Sequence, residues 1–127
     1  MDSKFKVVLA VVAGAAFGAA AVQGLHAQVK PKAYSISELE VLDAAAQIAF
    51  VPVIAAAQQA AGGRNLRTGG QVVASEGSAA PKRVAITEWD SLEKAQAFYK
   101  SKSWNDLTTQ REKANKTMRR YIVEAAN

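Results

Sequence analysis

The side chains here that could do chemistry are carboxylates, phenols and guanidinium groups. Glu38 and Glu88 fall on alternating positions of two segments that read as neighbouring strands. If both faced a partly closed interior, desolvation would raise the pKa of one and leave it able to act as an acid or base. Tyr99 is the third catalytic candidate, as a hydrogen-bond donor or acid. Arg83, Arg111 and Arg120 could hold an anionic ligand through charge-assisted hydrogen bonds, with Tyr34 adding a hydroxyl. The competing reading is structural: such Glu and Arg residues commonly form surface or interface ion pairs, and Tyr99 and Trp104 suit core anchors with a wet polar tip.

Other chemistries lack their residues. The chain has no cysteine and one histidine, His26, which falls inside an apparent export leader. Once that leader is removed, neither imidazole nor thiolate remains. Zinc, copper and haem sites of the usual kinds, a thiol nucleophile and a Ser-His-Asp triad are therefore excluded. The acids are scattered, no loop has the spacing of a calcium site, and Gly62 to Gly70 lacks the spacing of a phosphate loop. We expect no metal and no cofactor. Asn115-Lys116-Thr117 matches a glycosylation sequon by pattern.

The leader is residues 1–27. Lys4 and Lys6 precede a sixteen-residue apolar run, Val7 to Val22, followed by Gln23-Gly24-Leu25-His26-Ala27. A basic start, an apolar middle and a small residue at the cut site form a secretory signal, with cleavage expected after Ala27. The run is shorter than the ~20 residues that span a bilayer and is rich in Ala and Gly. Membrane contact is thus expected only through the leader before cleavage, and the mature protein is expected in the periplasm or secreted.

Cleavage would leave 100 residues with net charge +4, against +5 for the whole chain. The basic cluster at Arg111, Lys113, Lys116, Arg119 and Arg120 reads as a solvated face, and no nucleic-acid partner is expected. A domain of this size buries roughly 60–70% of its unfolded surface, with little stability to spare and no disulfide to help.

The elements that must position the candidates follow from periodicity. After a linker, 28–32, the domain 33–127 opens with a strand, Ala33 to Val41, and a helix from about Ala44 to Ala61 capped by Asp43 and closed by Gly62-Gly63. Ile48, Val51 and Ala55 mark its expected apolar stripe, and Pro52 should kink it. Arg64 to Thr68 and Gln71 to Glu76 read as two extended pieces, turning at Gly77 to Pro81 into a strand from Arg83 to Trp89. Asp90 and Glu93 suggest a capping box for a helix carrying Leu92, Ala95, Phe98 and Tyr99. A break near Ser101 to Ser103, a second helical segment to about Asn115 and a strand from Thr117 to Ala125 complete the chain.

The order β-α-β-β-α-β is that of an α+β, ferredoxin-like antiparallel sheet with helices on one face. Its other face, expected to carry Tyr34, Ile36, Val84, Ile86 and Ile122, would be bare and is expected to be covered by a second copy.

The residues also resemble a known family, the "domain of unknown function 1330" group, of which this chain would be an exported member. The resemblance rests on Lys32-Ala33-Tyr34, Gly62-Gly63-Arg64, Gly69-Gly70, Pro81-Lys82-Arg83-Val84, Glu88-Trp89-Asp90-Ser91-Leu92-Glu93-Lys94-Ala95, Phe98-Tyr99-Lys100-Ser101, Trp104 and Arg111. It implies a dimeric α+β barrel of ferredoxin-like topology and supplies no activity. Three functions stay open: a periplasmic homodimer that binds a small anionic or aromatic molecule or a partner, a cofactor-independent enzyme using Glu, Tyr and Arg acid–base chemistry, and a structural or stress-associated envelope protein.

Overall fold

A computed structural model describes residues 29–126. The leader and its cleavage site lie outside the described residues. From Pro31 onward the chain forms β1 (Ala33–Val41), α1 (Ala44–Ala60), β2 (Arg64–Asn65), β3 (Arg83–Trp89), α2 (Leu92–Tyr99), α3 (Lys102–Asn105), α4 (Thr108–Ala114) and β4 (Asn115–Glu124). The strands form one antiparallel sheet in the order β2-β3-β1-β4. This is the ferredoxin-like α+β fold.

Register assigns every side chain to a face, because directly opposed residues of a sheet point the same way. Ala33, Ser35, Ser37 and Leu39 alternate as the buried set of β1. They oppose Trp89, Thr87, Ala85 and Arg83 on β3. On β4, Ile122 opposes Ser35 and Arg120 opposes Ser37. The helices cover this side. Trp89, Phe98, Ala95, Ala33 and Trp104 form the core, with Ile54, Ala57, Leu92 and Ile122 packed against it. Trp89 is fully buried and meets Phe98 with ring centroids 5.2 Å apart. Its Nε1–H donates to Ser35 Oγ at 3.0 Å, so the largest core side chain leaves no donor unanswered.

The opposite face carries Tyr34, Ile36, Val84, Ile86, Tyr121 and Val123, with Tyr121 and Val123 opposing Ile36 and Tyr34. Ile122, assigned to this bare face from the pattern alone, lies on the helix side instead. The β4 register slips by one residue between Glu38 and Leu39, leaving Met118 as the extra residue of a bulge.

Other departures have local causes. The extended pieces expected at 64–68 and 71–76 reduce to the two residues of β2. Arg67 adopts φ 53°, and its N–H donates to Asn65 Oδ1 at 2.8 Å, a local turn that competes with the ladder. Residues 66–82 continue without a strand, tied to β3 by Leu66 N–H donating to Ile86 O and Thr68 Oγ1–H donating to Val84 O. The cap of α2 is Ser91, which accepts from Lys94 N–H, because Asp90 is engaged by Arg64. Trp104 sits in the short helix α3, and Asn115 already begins β4.

Helix α1 runs unbroken past Pro52, but the stripe it buries is not the one its apolar pattern marks. Gln47, Phe50 and Gln58 are buried, and Ile48 is 74% exposed. A helix that turns two glutamines inward faces something polar, which the site explains.

Gly63 has a packing role. A Cβ there would lie 2.9 Å from Trp89 Cη2 and 3.0 Å from Thr87 Cγ2, both on rigid, buried side chains. Gly70 has open space around it. We predict that Gly63→Ala lowers stability by about 1–3 kcal/mol through overpacking while Gly70→Ala changes it by less than about 1 kcal/mol, measured as the difference in urea midpoint.

Candidate anion-binding cavity

Between α1 and the covered face of the sheet lies a cavity of about 760 Å³. Ser37, Leu39 and Ala85 form its floor, and Phe50, Ile54 and Gln58 of α1 its roof. Arg120, Arg111, Tyr99 and Trp104 line one part of it, and the Gly69-Gly70 loop with Arg83 another. Among the described residues its wall includes five arginines, Arg64, Arg67, Arg83, Arg111 and Arg120, and neither Asp nor Glu. Only Arg64 is neutralised, by Glu88 and Asp90, each at 2.9 Å.

Arg120 reaches this cavity because the alternation of β4 puts it beside Ser37, to whose Oγ its Nε–H donates at 2.9 Å. Its guanidinium carbon lies 4.6 Å from the centre of the Trp104 ring, and that of Arg111 lies 3.9 Å from the same ring. An indole face attracts a cation through its quadrupole, but one ring offers no net charge to balance two. Burial lowers the pKa of both groups; at Arg111 the charge of Glu112 opposes it in part, and at Arg120 the positive charge of Arg111 adds to the lowering.

Tyr99 stands edge-on to Trp104, with centroids 4.9 Å apart. Its hydroxyl donates to Ser35 Oγ at 2.8 Å, and burial raises its pKa, so it stays a neutral phenol. Arg83 lies against the loop: a Cβ on Gly69 would come within 3.1 Å of its Nη2, so a glycine lets the backbone rest on the guanidinium.

Two further polar groups belong to the wall. Asn115 is buried and its Nδ2–H donates to Gln47 Oε1. Asn115 Oδ1 and Gln58 Oε1 are buried acceptors without a hydrogen-bond partner. A buried Asn115 also rules out the sequon as a modification site in the folded protein.

The carboxylates are elsewhere. Glu38 and Glu88 project from the open face, and Tyr34 lies beside Glu88 there. Glu38 accepts from Arg119 at 2.7 Å and from Tyr121 at 3.0 Å. Glu88 accepts from Lys32 at 2.9 Å and Arg64 at 3.0 Å. Both pKa values are lowered, chiefly by the hydrogen bonds from Arg119 and from Lys32 respectively. The raised carboxyl pKa that an acid–base site would need is therefore not found at either residue. The sequence candidates thus separate: Tyr99, Arg83, Arg111 and Arg120 share the cavity, while Glu38, Glu88 and Tyr34 share the opposite face. Gln47, Gln58, Asn115 and Arg67 were missed. The glutamines at 47 and 58 are eleven residues apart, on one side of a helix, and that spacing was the readable signal.

Comparison with known proteins agrees with this architecture. The model of the family described as domain of unknown function (DUF1330) matches residues 32–126. The chain belongs to this family. Among solved structures, that of the methylated RPA0582 protein shares the DUF1330 chain's fold with a TM-score of 0.58 at 12% identity, covering 77% of this chain and 83% of that one. A protein of Chloroflexus aurantiacus assigned provisionally as an antibiotic biosynthesis monooxygenase aligns with a TM-score of 0.44 at 17% identity, over 76% of this chain and 94% of that one. No curated protein matches.

Because the carboxyl pKa values are depressed, the stability these groups contribute is present above the ordinary carboxyl range and is lost as pH falls through their folded values. We predict that NMR titration of Glu38 and Glu88 gives midpoints below 4.5, and that Glu38→Gln flattens the acid side of the melting-temperature profile. A midpoint above 4.5 for either would restore it as an acid–base candidate.

Proposed function

We propose that this DUF1330 protein binds a small organic anion in the cavity beneath α1 and performs no acid–base chemistry on it. The observation that carries this reading is the unbalanced wall: Arg83, Arg111 and Arg120 make no ion pair, and neither Asp nor Glu lines the cavity among the described residues. Partly buried guanidinium groups are costly unless something negative answers them, and they bind carboxylates in a bidentate fork. The volume suits a ligand of ordinary metabolite size, and Phe50, Ile54 and Trp104 supply apolar contact for its body.

The export leader and the homodimer belong to the same proposal. A chain reaching the periplasm would meet extracytoplasmic metabolites, and Lys4, Lys6 and the apolar run that follows support that route. The dimer is supported by the apolar open face, where Tyr121 is 41% and Val123 48% exposed on an otherwise folded sheet. A second copy laid across it would also shield the Glu38–Arg119 pair.

A thermal-shift screen of small carboxylates against the purified protein tests the binding reading. We expect stabilisation by at least one organic carboxylate, saturable and weakened by Arg120→Gln, and none by matched neutral amides. Equal stabilisation of the variant, or none by any acid, would contradict it. Light scattering should give twice the protomer mass in solution; a protomer mass at micromolar concentration would remove the dimer.

A further inference from the structure

We infer that the ligand carries two anionic groups, one at each end of the cavity, an extension that rests on the binding reading above. The charges of the wall are divided between two places. Arg111 and Arg120 converge on Trp104, whereas Arg83 rests on the Gly69 backbone at the loop. The sheet explains the division. Arg83 projects from β3 opposite Leu39, and Arg120 from β4 opposite Ser37, so strand β1 runs between them. Strands flanking a common neighbour stand about 10 Å apart. Arg120 leans back over β1 to Ser37 while Arg83 is turned to the loop beside β3, so the two cationic ends lie on the order of 10 Å apart.

One carboxylate at Trp104 would balance one of the two cations there and leave Arg83 unanswered. Between the ends, the floor is Leu39, Ser37 and Ala85, small or apolar groups that suit a short carbon spacer. Arg67 at the loop adds cationic character at the Arg83 end. A dicarboxylate of intermediate length meets these requirements. A single compact anion such as phosphate satisfies one end only.

Isothermal titration with adipate, hexanoate and inorganic phosphate distinguishes the cases. Adipate and hexanoate have the same number of carbons and differ in one carboxylate. A second charge-assisted contact is worth about tenfold in affinity or more. We expect adipate to bind at least about tenfold more tightly than hexanoate, Arg83→Gln to abolish that advantage without weakening hexanoate, and Arg120→Gln to weaken both. The unliganded melting temperature of each variant verifies that it is folded. Equal affinities for the two acids, an advantage that survives Arg83→Gln, or a preference for phosphate would overturn the two-ended ligand. Hexanoate binding that still depends on Arg120 would then leave the single-anion reading standing, while no binding by any of the three would remove both.

Discussion

Two guanidinium groups held against one indole ring, neither of them in an ion pair, set the terms for the rest of this structure. Arg111 and Arg120 reach Trp104 from different elements, α4 and β4, and each gives up solvation to do so. The fold holds them there by other means. Trp104 is anchored in the core by Phe98, centroids 5.6 Å apart, and Arg120 is held by the hydroxyl of Ser37. The aromatic cluster is therefore both the main hydrophobic anchor of the domain and the platform on which charge is presented.

The sheet divides its chemistry between its faces. On the open side Glu38 and Glu88 are each answered by a base: Glu38 by Arg119, Glu88 by Lys32 and Arg64. In the cavity wall on the helix side the order is reversed, with cations and hydroxyls and neither Asp nor Glu among the described residues. Alternation along β1 makes this separation, since Ser35 and Ser37 point one way and Glu38 the other. Small polar residues at the buried positions of β1 leave room where larger side chains would have filled the space. The cavity is thus a consequence of residue choice at those positions and of the glutamine face of α1.

Much of the fold was legible from sequence because the strands β1 and β3 alternate cleanly and the turns are marked by Gly, Asp and Ser. The family was legible from turn and packing residues such as Gly62-Gly63-Arg64 and Glu88-Trp89-Asp90. The failures cluster at the cavity. Helix α1 was read by its aliphatic residues, yet it buries Gln47 and Gln58, because its inner face meets a polar space. Ile122 was placed on the wrong face by treating β4 in isolation, where only its register against Ser35 decides. The arginines were found by type, but their separation from Glu38 and Glu88 depends on which strand face each occupies, and that is a property of pairing.

The most direct test of unanswered cations in the cavity is the arginine side-chain Nε–H spectrum of the protein with and without a saturating dicarboxylate such as adipate. The account predicts that the Arg111 and Arg120 signals move and exchange more slowly with water on addition. Arg64 and Arg119, already engaged by carboxylates, should stay in place. Movement confined to Arg64 and Arg119, or no change at Arg111 and Arg120 at saturation, would contradict it.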